Sequence, residues 1–134
     1  MKKIVYWIIF TIIILSDQLS KLIVLNTPNN SIDTLKNSGF SFGILSSYSI
    51  ASILLSIIIL GSIAYLIKFR KYKFNLGFSL LSAGIASNLL DRIFRGYVVD
   101  FIKLPIIPTF NLADISIILG IIGLLWGIKK WRSK

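Results

Sequence analysis

The 134-residue sequence has no cysteine and no histidine, and all five of its acidic residues are aspartates. Without cysteine there can be no disulfide and no thiolate nucleophile; without histidine, Ser-His-Asp triads and His-ligated zinc sites are excluded as well. Any acid chemistry must come from Asp17, Asp33, Asp91, Asp100 and Asp114. Charged residues of either sign are only 15% of the chain against 55% hydrophobic ones, and the mean hydropathy is +0.83. A soluble domain of this size carries far more polar surface, so the chain belongs in a bilayer.

What is present fits that solvent. A span needs about 20 mostly apolar residues to cross roughly 30 Å of hydrocarbon. Four such stretches are visible, at about 4–25, 49–67, 74–91 and 112–128, with longer polar connections at 26–48 and 92–111. The fold expected is a single all-α membrane domain over 1–134, with four transmembrane helices and a small extracytoplasmic β-cradle or loop region. Helices are expected because a bilayer leaves an isolated strand without backbone partners. The first stretch has the charge and apolar run of a signal peptide, but Ser16-Asp17-Gln18-Leu19-Ser20-Lys21 stands where a small-residue cleavage site belongs, so it reads as a retained span.

A net charge of +10 invites a nucleic-acid reading. The distribution opposes it. Most cations fall in clusters at the ends of apolar stretches: Lys2 and Lys3; Lys68, Arg70, Lys71 and Lys73; Lys129, Lys130, Arg132 and Lys134. By the positive-inside rule these ends are cytoplasmic, which puts both termini inside and the two long connections outside. Trp7, Trp126 and Trp131 then fall near the inner interface. The first connection is rich in Asn, Ser, Gly and Pro, and suits short strands and turns. In the second, Pro105 and Pro108 argue against a continuous helix.

Ionisable groups at membrane depth cost at least a few kcal/mol unless paired or hydrated, so each is a functional candidate. Each also has a plain structural role to offer. Asp17 and Lys21 are four apart on one helix face and can neutralise each other. Asp91 and Arg92 close the third stretch, with Asn88 on the same face as Asp91, and Asp33 lies in a polar loop. Asp114 follows Asn111 by three residues, the spacing of an N-cap with an acid at the third helical position. Asp100, within Tyr97-Val98-Val99-Asp100-Phe101-Ile102, has no cation beside it in sequence. If the turn through Pro105 and Pro108 doubles the chain back, Asp100 and Asp114 meet at the outer membrane edge. Two carboxylates at close range do not both ionise easily, so one keeps a proton, as an aspartic protease requires.

Separated motifs carry a resemblance to a known family. They are Asp17-Gln18-x-Ser20-Lys21 late in the first span; Asn37-Ser38-Gly39-Phe40-Ser41-Phe42-Gly43 in the first outer loop; Asn88-Leu89-Leu90-Asp91-Arg92 running on to Gly96-Tyr97-Val98-Val99-Asp100-Phe101; and Phe110-Asn111-Leu112-Ala113-Asp114. In order and placement they resemble the lipoprotein signal peptidases, the signal peptidase II family of bacterial membrane aspartic proteases. The resemblance implies that Asp100 and Asp114 are the catalytic dyad, and that Asp17, Lys21, Asn37, Gly39, Asn88, Asp91, Arg92 and Asn111 shape the site or bind substrate.

It further implies cleavage of diacylglyceryl-modified prolipoproteins just before the lipidated cysteine, on the extracytoplasmic side of the plasma membrane, without metal or cofactor. Partners would be those substrates and membrane lipids, with no nucleic acid, and the enzyme would act as a monomer. Where the family has Gly-Gly-x-x-Gly-Asn, this chain reads Ala83-Gly84-Ile85-Ala86-Ser87-Asn88, which keeps small residues for close helix packing. The first outer loop, the segment expected to form the cradle, is short for the family.

Other readings remain open on the sequence. A small four-span transporter would use intramembrane acids to bind protons or cations. A Ser-Lys hydrolase would pair Ser41 or Ser20 with Lys21 or Lys103. A catalytically inactive homologue is the third alternative.

Overall fold

The computed structural model describes residues 2–27, 35–37, 49–69 and 75–132. Its order is α1 (Lys2–Asn26), β1 (Leu35–Asn37), α2 (Ser49–Phe69), α3 (Leu76–Arg95), β2 (Val98–Asp100), β3 (Ile102–Leu104), β4 (Ile107–Phe110) and α4 (Leu112–Arg132). α1 and α2 are long and apolar enough to cross a membrane, and α4 holds a shorter apolar run over Leu112–Trp126. Their outward faces are aliphatic: Ile4, Ile8, Ile12 and Leu15 on α1, Ile50, Ile57 and Ile58 on α2, and Ile118, Ile122 and Leu125 on α4 are all exposed. In water that surface would be untenable, whereas hydrocarbon solvates it.

α3 is built differently and holds the centre. It packs on α4, α1 and α2, and buries Ser79, Ser82, Ser87, Asn88, Asp91 and Arg92 together with Phe78, Ala83 and Ile85. The polar groups are thus inside and the apolar ones outside. The close approach of α3 and α4 depends on two glycines. A Cβ on Gly84 would stand 2.4 Å from the Ala113 carbonyl oxygen, and one on Gly120 would stand 2.5 Å from the Leu81 nitrogen. The small-residue stretch thus does what its composition suggests. Ile63 of α2 joins Phe78 and Ile85 in a modest apolar core.

The ends of α3 are set locally. The Asn75 side chain accepts a hydrogen bond from the Phe78 N–H at 3.1 Å as the N-cap. Gly96, at φ 78°, closes the C-terminus in the left-handed conformation. The helix therefore runs a turn beyond Asp91 and Arg92, which the sequence suggests as its close. Both are buried, Asp91 in an ion pair with Lys21 and Arg92 with its guanidinium on the Asn88 carbonyl, and Gly96 is the stop.

The β-structure also departs from expectation. The first outer loop supplies only β1 among the described residues, and β1 pairs antiparallel with β2, with Leu35 opposite Asp100 and Asn37 opposite Val98. The second connection supplies the rest: β3 and β4 form a hairpin with Ile102 opposite Phe110 and Leu104 opposite Ile107. Pro105 sits in its turn, and Pro108 lies in β4, an edge strand where a missing N–H is tolerated. Lys36 stacks 5.2 Å over the Tyr97 ring, tying the two connections together.

Candidate active site

The site grows from the polar interior of α3. Asp17, Lys21 and Asp91 are each 0% exposed, and the Lys21 ammonium lies 2.6 Å from Asp17 Oδ2 and 2.7 Å from Asp91 Oδ2. Asp91 also pairs with Arg95 in the next turn. Two acids and two bases therefore neutralise each other where an unpaired charge would be costly. Lys21 has its charge engaged by two carboxylates, and Ser20 donates to the Asp17 carbonyl at 2.8 Å. Neither is arranged as a nucleophile and base. Lys103 is exposed, and Ser41 lies outside the described residues, as do Asp33 and Gly39.

Asp17 reaches past this cluster. Its Oδ1 accepts the Ala113 backbone N–H at 2.9 Å, so a carboxylate on α1 caps the start of α4. Its Oδ2 accepts from Ser87 Oγ at 2.7 Å. Gln18 Nε2 in turn donates to Ser87 Oγ and to Asp91 Oδ1, each at 3.0 Å, and its carbonyl accepts from Arg95 at 2.9 Å. The opening of α4 is thereby held against α1 and α3 at the residue before Asp114.

Asp114 and Asn111 form a reciprocal cap. Asn111 Oδ1 accepts from the Asp114 N–H at 3.0 Å, and Asp114 Oδ2 accepts from the Asn111 N–H at 3.2 Å. The capping role suggested by their spacing is present. It does not exhaust Asp114, whose Oδ1 accepts from Asn88 Nδ2 at 2.9 Å. Asn111 Nδ2 donates at 2.7 Å to Asp100 Oδ1 and at 3.2 Å to Asn88 Oδ1, which also accepts from Lys21 at 3.1 Å. Asn111 thus touches both carboxylates, and Asn88 connects Asp114 to the buried ion cluster.

Asp100 lies at the end of β2, 4% exposed. Its neighbour Val99 is fully buried, and the Val99 N–H points to Asp91 Oδ2 at 3.5 Å. The partner that sequence proximity does not offer Asp100 comes from Asn111, across the β3–β4 hairpin. Asp100 and Asp114 line one cavity of about 240 Å³ with Asn88, Arg92, Val98, Ile107, Thr109, Phe110, Ile115, Ile117 and Ile118. Arg92 is its cation, and the guanidinium donates to the Asn88 carbonyl at 3.3 Å. Two carboxyl groups, one guanidinium and otherwise mostly apolar walls form a chamber that can bind a peptide and protonate or deprotonate groups at one end.

Most of the residues singled out in the sequence come together here. Asp17, Lys21, Asn88, Asp91, Arg92, Asn111, Asp100 and Asp114 form one connected set, while Asn37 enters β1 with Val98 as its backbone partner. Gln18, Ser87, Arg95 and the aliphatic wall are additions. Arg95 was legible as the i+4 partner of Asp91, and Gln18 lies inside the first motif. Ser87 had no signal beyond standing where a glycine is usual.

Comparison with known proteins supports the same grouping. A family model described as signal peptidase (SPase) II matches residues 9–130. The lipoprotein signal peptidase of Caldicellulosiruptor bescii is 38% identical over 137 residues, covering 94% of this chain and 91% of that protein. That of Moorella thermoacetica is 38% identical over 125 residues, covering 82% and 83%. A solved bacterial membrane enzyme superimposes with a TM-score of 0.85 at 32% identity over 96% of this chain and 90% of its own, and a second with 0.78 at 31% over 92% of each. With sequence, architecture and the arrangement around α3 in agreement, this chain belongs to the signal peptidase II family.

Proposed function

We propose that this membrane protease removes the signal peptide from diacylglyceryl-modified prolipoproteins, cutting before the lipidated cysteine, by an aspartic mechanism in which Asp100 and Asp114 are the catalytic pair. The observation that carries the proposal is that these two carboxyl groups, from β2 and α4, line one cavity and share Asn111 as a hydrogen-bond partner. The ionised member takes a proton from a water that attacks the scissile carbonyl, and the protonated member donates to the carbonyl oxygen. Neither metal nor cofactor is needed for such a step.

Asn88, Arg92 and Asn111 orient the pair. Asp17, Lys21 and Asp91 support them from below, and Asn37 and Gly39 belong to the substrate-binding loop. The apolar wall of Ile107, Phe110, Ile115 and Ile118 suits the lipid-bearing end of the substrate, whose acyl chains can remain in the bilayer. In this reading the single domain over 1–134 spans the plasma membrane four times as a monomer, with both termini cytoplasmic and the cavity at the extracytoplasmic edge. The transporter alternative finds no support: Asp17, the acid deepest in an apolar helix, is already engaged by Lys21, Ser87 and Ala113.

The test is a mobility-shift cleavage assay on purified protein in lipid, with a diacylglyceryl-modified prolipoprotein as substrate. Wild type should release the signal peptide, while folded Asp100→Asn and Asp114→Asn should not. Cleavage by either variant would remove the aspartic mechanism.

A further inference from the structure

The exposed apolar surface of this protein does not stop at the helices. The β3–β4 hairpin turns through Pro105 and Ile106, and at that turn Ile106 is 95% exposed, with Leu104 and Ile107 exposed on either side. A two-residue hairpin turn that faces water is ordinarily built from Asn, Asp or Gly. Residues 104–108 of this chain, Leu-Pro-Ile-Ile-Pro, include no polar side chain. Aliphatic side chains gathered on such a turn mark a surface that something apolar covers.

Two observations identify the cover as lipid. Ile107, next to the turn, lines one cavity with Ile118 of α4. From Leu112 to Ile118 the helix rises about 9 Å, so the hairpin lies along the flank of α4 and does not stand off its end. Ile118 and, one turn further, Ile122 are exposed in the aliphatic face that hydrocarbon solvates, and the turn continues that face. At the same end of the molecule the last turn of α3 exposes Ile93 and Phe94, the latter at 79%, beyond the buried Asp91 and Arg92. Apolar surface therefore reaches the level at which the strands begin. A second copy of the chain is the poorer occupant, because three side chains fall far short of the roughly 800 Å² a side that a stable protein interface needs.

We infer that the turn at residues 104–108 inserts into the lipid leaflet beside α4, as a membrane contact additional to the helices. The backbone limits its depth. β3 and β4 form a sheet of two strands, and unpaired N–H groups are costly in hydrocarbon. Pro105 and Pro108 remove two such donors, which suits the boundary between headgroups and acyl chains, not the bilayer centre. β4 runs on from the turn through Thr109 and Phe110 in the cavity wall, so the lipid contact holds the cavity at the height of the leaflet surface. On the topology proposed above this is the extracytoplasmic leaflet; the contact itself depends neither on that orientation nor on the aspartic mechanism.

The chain has no cysteine, so a single introduced one can be labelled without background. A nitroxide on Ile106→Cys, in the full chain reconstituted into phosphatidylcholine–phosphatidylglycerol vesicles, should collide more with oxygen, which concentrates in lipid, than with a water-soluble nickel chelate. Its preference for oxygen should be weaker than that of the same label on Ile122→Cys, further along the lipid-facing side of α4. A label that favours nickel, as a side chain in water does, would overturn the inference. So would a label shielded from both reagents, as beneath another stretch of protein, or one broadened by a second label nearby, as in a dimer. Depth is read separately with a fluorophore on Ile106→Cys: lipids spin-labelled near the headgroup should quench it more than lipids labelled near the chain end, and the reverse order would refute the boundary placement. Neither readout involves cleavage, so this inference and the proposed reaction fail separately.

Discussion

Two groups of acids are gathered around α3 and the start of α4, and they are held in different ways. Asp17 and Asp91 are held by cations, with the Lys21 ammonium 2.6 and 2.7 Å from their oxygens and Arg95 beyond. Asp100 and Asp114 accept from neutral donors, the side-chain amides of Asn88 and Asn111 and the backbone N–H of Asn111, with Arg92 lining the same cavity. A carboxylate in direct contact with a buried ammonium is tied to it, because removing either partner would leave the other's charge buried and unpaired. A carboxylate held by amides keeps its geometry in either protonation state. The first arrangement builds a rigid base, and the second suits the proton exchange proposed for Asp100 and Asp114.

The strongest way to break this contrast is at the amide-held pair. Asp114→Asn keeps the size and removes the acid, but its single oxygen can accept from only one of the Asn88 Nδ2 and Asn111 N–H donors, so cleavage should fall by about a thousandfold or more while stability falls by about 1–2 kcal/mol, measured by cleavage rate alongside a melting curve. The cation-held group should respond in the opposite sense. Lys21→Met leaves two buried carboxylates facing each other and should cost about 3–5 kcal/mol, read as a large drop in melting temperature in detergent. Adding Asp17→Asn to that variant should recover part of the loss, since the two residues are coupled.

The link between the two groups can be probed through packing. In Gly84→Ala the new methyl meets the Ala113 carbonyl oxygen at 2.4 Å and must push α4, with Asp114, away from α3. The expected cost is about 1–3 kcal/mol of stability and a loss of about 10–100-fold in cleavage rate. The smallest effect belongs to Ser87→Ala, which deletes one donor to Asp17 while Lys21 and the Ala113 N–H remain. Stability should fall by about 1–2 kcal/mol with cleavage nearly unchanged. A large loss of activity there would mean that Asp17 communicates with the dyad through Ser87.

Much of this was legible in the chain. Asp17 and Lys21 are an i,i+4 pair, and Asn111 and Asp114 have the spacing of a cap, so both contacts follow from helix geometry alone. The strands were not legible. β1 is a three-residue segment whose partner lies more than sixty residues away, and no local periodicity announces such a pairing. The end of α3 differs from what the local sequence suggests for a related reason. Asp91 and Arg92 resemble residues that meet water at a membrane surface, whereas Lys21 and Gln18 of α1 draw Asp91 inward and the helix continues to Gly96.

The sequence alone determined the solvent, the helices and the five acids available for chemistry, because hydrophobic runs and residue spacing act over one or two helical turns. It also determined Asn111 and Asp114 as a local cap. Only the tertiary structure decided that Lys21 would hold two acids instead of one, that Asn88 would present its NH2 to Asp114, and that Asp100 would find Asn111 across a hairpin. Those outcomes depend on the close approach of α3 and α4 at Gly84 and Gly120, and on strands drawn from both connections. A buried polar group must be satisfied by whatever packing brings to it, and packing joins residues far apart in sequence.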